Sequence, residues 1–201
     1  MKINSIIFDI GKVLVDPIFE EFARNMTENE EDFQFVIRKI FKGPVWHQMD
    51  LGVMNNEEEL EALIALEPER EQLTRKVYNN LGKVIRIYDG TMDWVRELKA
   101  KGYRVFALSD WPRKIYEQRE HNMDFLEEMD GYFMSFQVHK CKPDPAYYQE
   151  LMDTFHIVPE QAAFLDDREE NIAAARSLGI HGIVFQNQEQ GRQELAKLGV
   201  I

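Results

Sequence analysis

Residues 5–16 read Ser5-Ile-Ile-Phe-Asp9-Ile-Gly-Lys-Val-Leu-Val-Asp16. The apolar run Ile6-Ile7-Phe8 does not alternate with polar residues. It therefore predicts a short strand over residues 3–8 that is buried on both faces, as in a parallel sheet. The strand delivers a carboxylate, Asp9, into a turn. Two residues later Gly11 stands without a side chain.

Downstream of this strand the pattern changes to a helical period. Phe19, Phe22, Ala23 and Met26 share one helical face, as do Phe33, Val36, Ile37, Ile40 and Phe41. Asn56 followed by Glu59 marks a helix start before Leu60, Leu63 and Ile64. Pro68 suits a first helical turn ahead of Leu73 and Val77. No strand signal stands out from Pro17 to about Lys83, so this is a block of short helices. The apolar residues from Phe33 to Phe41 exceed one helical stripe, which predicts the core of that block rather than a dimer contact.

Past Asp89-Gly90, strands and helices alternate. Helices are predicted over 92–101, 113–120, 145–155 and 169–178, with a last one closing the chain. Strands are predicted over 103–108, 131–135, 162–165 and 181–185. Gly102 and Gly179 stop two of the helices, and Asp144-Pro145 starts another. This alternation argues for an α/β, doubly wound parallel sheet interrupted after its first strand by helices. No repeats or low-complexity segments are present.

The 201 residues suffice for one domain with a sizeable core, or a core plus a small inserted module. Lys plus Arg number 24 against 36 Asp plus Glu, a formal charge of −12. Such a surface repels nucleic acid and anionic membranes, and neither is expected as a partner. No stretch approaches the ~20 apolar residues of a membrane span. Asp9 and Lys12 interrupt the apolar N-terminal run, and no small-residue cleavage site follows it, so no signal peptide is expected. The single cysteine, Cys141, cannot form an internal disulfide. A reducing, cytoplasmic location is the expectation.

In doubly wound sheets, ligands bind outside the carboxyl ends of the strands. Here one strand ends at Asp9, another at Ser109-Asp110 and a third at Asp166-Asp167, while Lys142 sits in a turn before a helix. In a parallel sheet these groups meet on one rim. Carboxylates gathered at one point repel each other. A hard divalent cation such as Mg²⁺ relieves that repulsion through oxygen ligands. A hydroxyl and a lysine suit phosphate oxygens, and a carboxylate can attack phosphorus covalently. Taken singly, each residue has a bland role as turn former, helix cap or solvated charge. Their recurrence at successive strand ends points to metal-assisted phosphoryl transfer through Asp9.

The stretches Asp9-Ile-Gly-Lys-Val-Leu, Leu108-Ser109-Asp110, Lys142-Pro-Asp-Pro and Leu165-Asp166-Asp167, with Asn171 and Ala173-Ala-Ala-Arg behind the last, resemble the four motifs of the haloacid dehalogenase superfamily. The phosphatase branch, with bacterial α-D-glucose-1-phosphate phosphatase and the N-terminal domain of soluble epoxide hydrolase, is the most similar in flavour. The resemblance implies a Rossmann-like core (1–15 and 89–201) with an inserted helical cap (16–88). It implies a Mg²⁺-dependent phosphatase acting on a small phosphorylated metabolite such as a sugar phosphate, as a monomer or homodimer. By position, Asp9 is the nucleophile and a metal ligand, and Lys142 is catalytic. Gly11 gives the metal its carbonyl, and Asp167 is the second carboxylate ligand, supported by Asp166. Ser109, Asp110 and Lys142 surround the phosphoryl group.

Two positions depart from the family pattern. Many members carry a general acid where Gly11 stands, and such help is typically worth ~10²–10⁴ in rate. Either a cap side chain supplies the proton, with His47 after Trp46 and Asp50 before Gly52 as candidates, or the substrate has a leaving group that barely needs one. Asp110 stands where relatives carry Asn or another small polar residue, and it is expected to point away and cap the turn before Trp111-Pro112. Rival readings are a metal-free 2-haloacid dehalogenase, disfavoured by Asp166-Asp167, and a non-catalytic phosphate-binding or regulatory protein, disfavoured by intact Asp9, Lys142 and Asp167. A phosphomutase ranks lower, because it needs an acid–base group at position 11.

Overall fold

The structure, a computed structural model, describes residues 2–119 and 121–200. Met1, Glu120 and Ile201 lie outside the described residues, and with Glu120 the expected end of the helix over 113–120. The strands are β1 (Ser5–Phe8), β2 (Val15–Pro17), β3 (Ile85–Ile87), β4 (Arg104–Ser109), β5 (Gly131–Met134), β6 (Ala162–Asp166) and β7 (His181–Val184). Five of them form one sheet in the order β5-β4-β1-β6-β7. Every pairing in it is parallel, and β1 is central, with Ser5 level with both Arg104 and Ala162. The expected doubly wound α/β sheet is therefore present.

Helices α1 (Phe19–Met26), α2 (Glu30–Phe35), α3 (Pro44–Leu51), α4 (Asn56–Ile64) and α5 (Glu71–Tyr78) lie between β2 and β3. The remainder are α6 (Thr91–Ala100), α7 (Arg113–Glu117), α8 (Ser135–Val138), α9 (Pro145–Phe155), α10 (Glu169–Ser177) and α11 (Gln188–Lys197). No helix of the described residues is long and apolar enough to cross a membrane.

Successive strand side chains point to opposite faces. Ile6 and Phe8 join one core with Val105, Leu165, Trp94 of α6 and Leu195 of α11. Ile7 joins the other with Phe106, Phe164, Tyr148 of α9 and Ile172 of α10. Both faces of the sheet are thus covered, which is why β1 reads as a continuous apolar run. Each such large side chain contributes ~1.5–3 kcal/mol when fully buried.

The helical segment differs from expectation in three details. It is tied at its base by a two-stranded antiparallel ribbon, with Val15 opposite Ile87 and Pro17 opposite Ile85. Three-residue strands containing Asp16, Pro17 and Arg86 carry no apolar period, so the sequence hid them. The cap of α4 is Asn55 rather than Asn56. Its side chain accepts from Glu57 N and Glu58 N, and Glu58 Oε2 accepts the Asn55 N–H at 2.8 Å. The crowded stretch after α2 is a π-helical turn, Val36–Phe41, which buries Val36, Ile37, Ile40 and Phe41. The wider turn brings more residues to the interior than an α-helical stripe would.

Candidate active site

Parallel strands end on the same rim. Asp9 follows β1, Ser109 ends β4 and Asp166 ends β6. Lys142 arrives from the loop before α9, whose first turn is capped by Asp144 accepting the Ala146 N–H at 2.9 Å. The structure brings Asp9, Ser109, Lys142 and Asp166 into one buried network.

Asp9 Oδ1 takes three donors. Ile10 N and Ser109 Oγ each lie at 2.7 Å, and Lys142 Nζ at 2.8 Å. Among the described residues no group donates to Asp9 Oδ2. The carboxylate is therefore fixed in orientation with one oxygen unengaged. Asp166 is fully buried and its oxygens are occupied by Lys142 Nζ (2.8 Å), Arg168 N (2.8 Å) and Asn171 Nδ2 (3.0 Å). Among the described residues Asp167 pairs only with Lys12 Nζ, at 3.1 Å, and the Lys12 side chain is 64% exposed. A pair that exposed is worth little and yields readily.

Charge follows the same geometry. Burial opposes the Lys142 ammonium, but Asp9, Asp166 and Asp110 outweigh it and hold the lysine charged. Burial pushes the Asp9 carboxyl up, Lys142 draws it down, and Asp166 adds a repulsion. Asp50 is held well above the usual carboxylate range, first by burial and then by the charges of Asp110 and Glu59.

Asp9, Asp166 and Asp167 each offer an oxygen, and those atoms lie within 4.8 Å of one another. The donor chemistry selects among them. Asp166 has no oxygen to spare, whereas the Asp9 and Asp167 carboxylates, together with the Gly11 carbonyl, which accepts no hydrogen bond from the described residues, would supply an all-oxygen set. That set fits a hard cation of the Mg²⁺ kind.

Beside this network lies a cavity of about 370 Å³. Its core walls include Gly11, Asp110, Trp111, Lys142 and Asp167, and the helical segment adds Phe19, Trp46, His47 and Asp50. The two candidate proton donors therefore reach the cavity. Asp110 departs from expectation. It does not cap its own turn: its Oδ1 accepts the Lys142 N–H at 3.0 Å, and the residue lines the cavity. The β4 end thus holds the backbone of the lysine loop.

Two positions escaped the sequence reading. Ser135 follows β5, and its Oγ accepts the Trp111 N–H at 2.9 Å while donating to the Asp50 carbonyl at 2.5 Å. The strand-end rule that flagged Asp9 and Ser109 applied to it equally. Tyr147 Oη lies 2.9 Å from the Ser109 carbonyl and 3.0 Å from that of Phe133, bracing β4 against β5. A buried aromatic on α9 carries no signal of that bond.

Residues 3–179 match the family of haloacid dehalogenase-like hydrolases. The chain belongs to that family. Among curated relatives, flavin mononucleotide hydrolase 1 of Arabidopsis thaliana is 24% identical, over 99% of this chain and 79% of its own length. The D-ribitol-5-phosphate phosphatase of Bacteroides thetaiotaomicron is 23% identical, over 96% and 97%. A crystal structure of a predicted hydrolase of this family from Porphyromonas gingivalis superposes with a TM-score of 0.79 at 20% identity, covering 98% of each chain. This haloacid dehalogenase-like hydrolase is an enzyme, then.

Proposed function

We propose that this hydrolase is a Mg²⁺-dependent phosphatase that cleaves small phosphate monoesters through an aspartyl phosphate at Asp9. One observation carries the reading: Asp9 Oδ1 is pinned by three donors while Oδ2 is left free. A carboxylate held that way presents a single nucleophilic oxygen. Ser109 and the charged Lys142 orient it and meet the oxygens of the phosphoryl group. Asp110 and Asp166 hold Lys142 in place from its backbone and its ammonium. Asp9, Gly11 and Asp167 would hold Mg²⁺, which when bound supplies positive charge between the nucleophile and a dianionic phosphate.

Residues 16–88 act in this reading as a cap that chooses the substrate, over a core formed by 1–15 and 89–201. The cavity volume of about 370 Å³ suits a small metabolite. The names of the two curated relatives, a flavin mononucleotide hydrolase and a ribitol-5-phosphate phosphatase, favour a phosphorylated polyol or sugar. The lone cysteine favours a reducing, cytoplasmic setting.

The test is hydrolysis of p-nitrophenyl phosphate with Mg²⁺ and with chelator, by wild type and Asp9→Asn. Turnover should need Mg²⁺ and fall at least ~10³-fold in the variant, as expected for loss of a nucleophile. Chloride release from 2-chloropropionate in chelator would favour a dehalogenase instead. A wild type inert towards both would leave a binding protein.

A further inference from the structure

Gly11 offers no proton donor on the core side of the cavity, and among the described residues only the Trp111 ring stands near that gap, with its Cζ3 3.4 Å from where a Cβ at Gly11 would lie. We propose that Asp50, on the helical cap, is the general acid and base of this hydrolase. The proposal rests on the phosphatase reading above.

Four observations carry it. Asp50 lines the same cavity as Gly11, Lys142 and Asp167. Its carboxyl accepts no hydrogen bond from the described residues and pairs with no cation among them, so it is free to serve a substrate atom. The backbone around it is fastened to the core rather than to the cap alone. Ser135 Oγ donates to the Asp50 carbonyl at 2.5 Å, and the His139 ring Nδ1 lies 2.8 Å from the Leu51 carbonyl. Gly52, in the left-handed region at φ +62°, packs so closely that an added Cβ would lie 2.6 Å from the Phe136 carbonyl. The end of α3 is thereby fixed to α8, on the core side of the cavity, and such anchoring is what positions a proton donor.

The fourth observation is the surroundings. Burial disfavours the Asp50 carboxylate, and Asp110 and Glu59 face it with negative charge, so the carboxyl holds its proton well above the usual carboxylate range. A carboxyl shifted in that direction is better matched to donating a proton than an ordinary one. His47 lines the cavity too, but it is exposed and has no hydrogen-bond partner among the described residues to orient it.

The step balances as follows. Asp9 Oδ2 forms a bond to phosphorus as the bond from phosphorus to the ester oxygen breaks. That oxygen keeps the electron pair and takes the Asp50 proton, leaving as the alcohol. The Asp50 carboxylate then removes a proton from a water that attacks the phosphorus of aspartyl phosphate. Asp9 departs as a carboxylate, inorganic phosphate is released, and Asp50 is again protonated.

The experiment compares benzyl phosphate with p-nitrophenyl phosphate, two esters of similar size, at saturating Mg²⁺. Benzyl alkoxide needs a proton on departure; nitrophenolate hardly does. Asp50→Asn should lower the single-turnover rate of benzyl alcohol release ~10²–10⁴-fold and cost much less in the release of nitrophenolate, while steady-state turnover, which also needs the water step, should fall with both esters. Asp50→Glu, which keeps a carboxyl, should recover part of the benzyl alcohol release. Adding Gly11→Asp to the Asp50→Asn variant should recover part of it too. Equal losses in the two single-turnover rates, or none in either, overturn the role of Asp50 while leaving the phosphatase reading intact. The same split in His47→Ala instead assigns the proton to the imidazole and overturns the proposal. A wild type inactive on both esters overturns both readings. Should Asp50→Asn fail to fold, the benzyl to p-nitrophenyl ratio of Asp50→Glu decides: a ratio unchanged by moving the carboxyl outward excludes the role.

Discussion

Lys142 bears more of the site's electrostatics than any other side chain described. It is 6% exposed and reaches Asp9 and Asp166 at 2.8 Å each. Removing one member of a buried ion network leaves the rest uncompensated, typically at ~3–5 kcal/mol. Lys142→Met should therefore lower the melting temperature and abolish turnover together. Thermal unfolding checks the first half, and p-nitrophenyl phosphate assays with Mg²⁺ check the second. A variant as stable as wild type would mean that the two carboxylates shed their charge without it. Asp110→Asn is a milder change, because an amide oxygen still accepts the Lys142 N–H. Phosphate affinity should then change less than ~10-fold, the cost of about 1.4 kcal/mol; inhibition by inorganic phosphate measures it. A larger gain would show that the Asp110 charge faces the phosphate.

Between the elements α4, α5 and α7 lies a second buried acid. Glu59 is fully buried, its Oε2 accepts from Tyr78 Oη at 2.7 Å, and its Oε1 has no partner among the described residues. Burial raises its pKa above the ordinary 4.5, with Glu117 adding repulsion, while the Tyr78 bond, Arg113 and Lys114 pull it down. A carboxyl raised on folding keeps its proton longer in the folded state than in the unfolded chain. Its contribution to stability is thus fully present below about pH 4.5 and declines as pH rises from there through the folded-state value. Glu59→Gln removes that decline. The melting temperature of the variant minus that of wild type should grow between pH 5 and pH 8 (roughly the range of maximal protein stability); a difference that shrinks with rising pH would contradict this account. At the α3–α8 junction, Gly52→Ala forces a Cβ against the Phe136 backbone in a left-handed conformation. That conformation alone costs a non-glycine residue ~1–2 kcal/mol, and the clash adds to it. Calorimetry should show the loss. Among these elements, the sheet was legible in the sequence because β1, β4 and β6 are buried on both faces and each ends in a polar cluster. The ribbon of β2 and β3 was hidden, since three-residue strands stabilised by backbone pairing leave no side-chain period. The one-residue shift of the α4 start reflects Asn55 and Asn56 standing side by side, where either amide could cap. The site was legible in its acids, hydroxyl and lysine. The Ser135 and Tyr147 contacts were not, because they bind backbone atoms and depend on how β4 and β5 sit together.

At the scale of the whole molecule, the formal charge of −12 sets a repulsive field for anionic substrates. Raising ionic strength from ~0.01 M to ~0.15 M shortens the Debye length from ~30 Å to ~8 Å. At saturating Mg²⁺, kcat/KM for a phosphate monoester should rise with salt; a fall would show that Lys142 and its neighbours dominate the approach. The helical segment is tied down by the β2–β3 ribbon and by the α3–α8 hydrogen bonds, which in the proposal above hold Asp50 beside the cavity. The nucleophile itself is the central claim. The most direct measurement is to quench the enzyme during turnover of p-nitrophenyl phosphate with Mg²⁺, reduce it with borohydride, and sequence the peptide holding residue 9 by mass spectrometry. Reduction of an aspartyl phosphate yields homoserine, which should be found at position 9 and only when substrate and Mg²⁺ are both present. Steady hydrolysis with residue 9 recovered solely as aspartate, or with homoserine at another acid, would contradict the account.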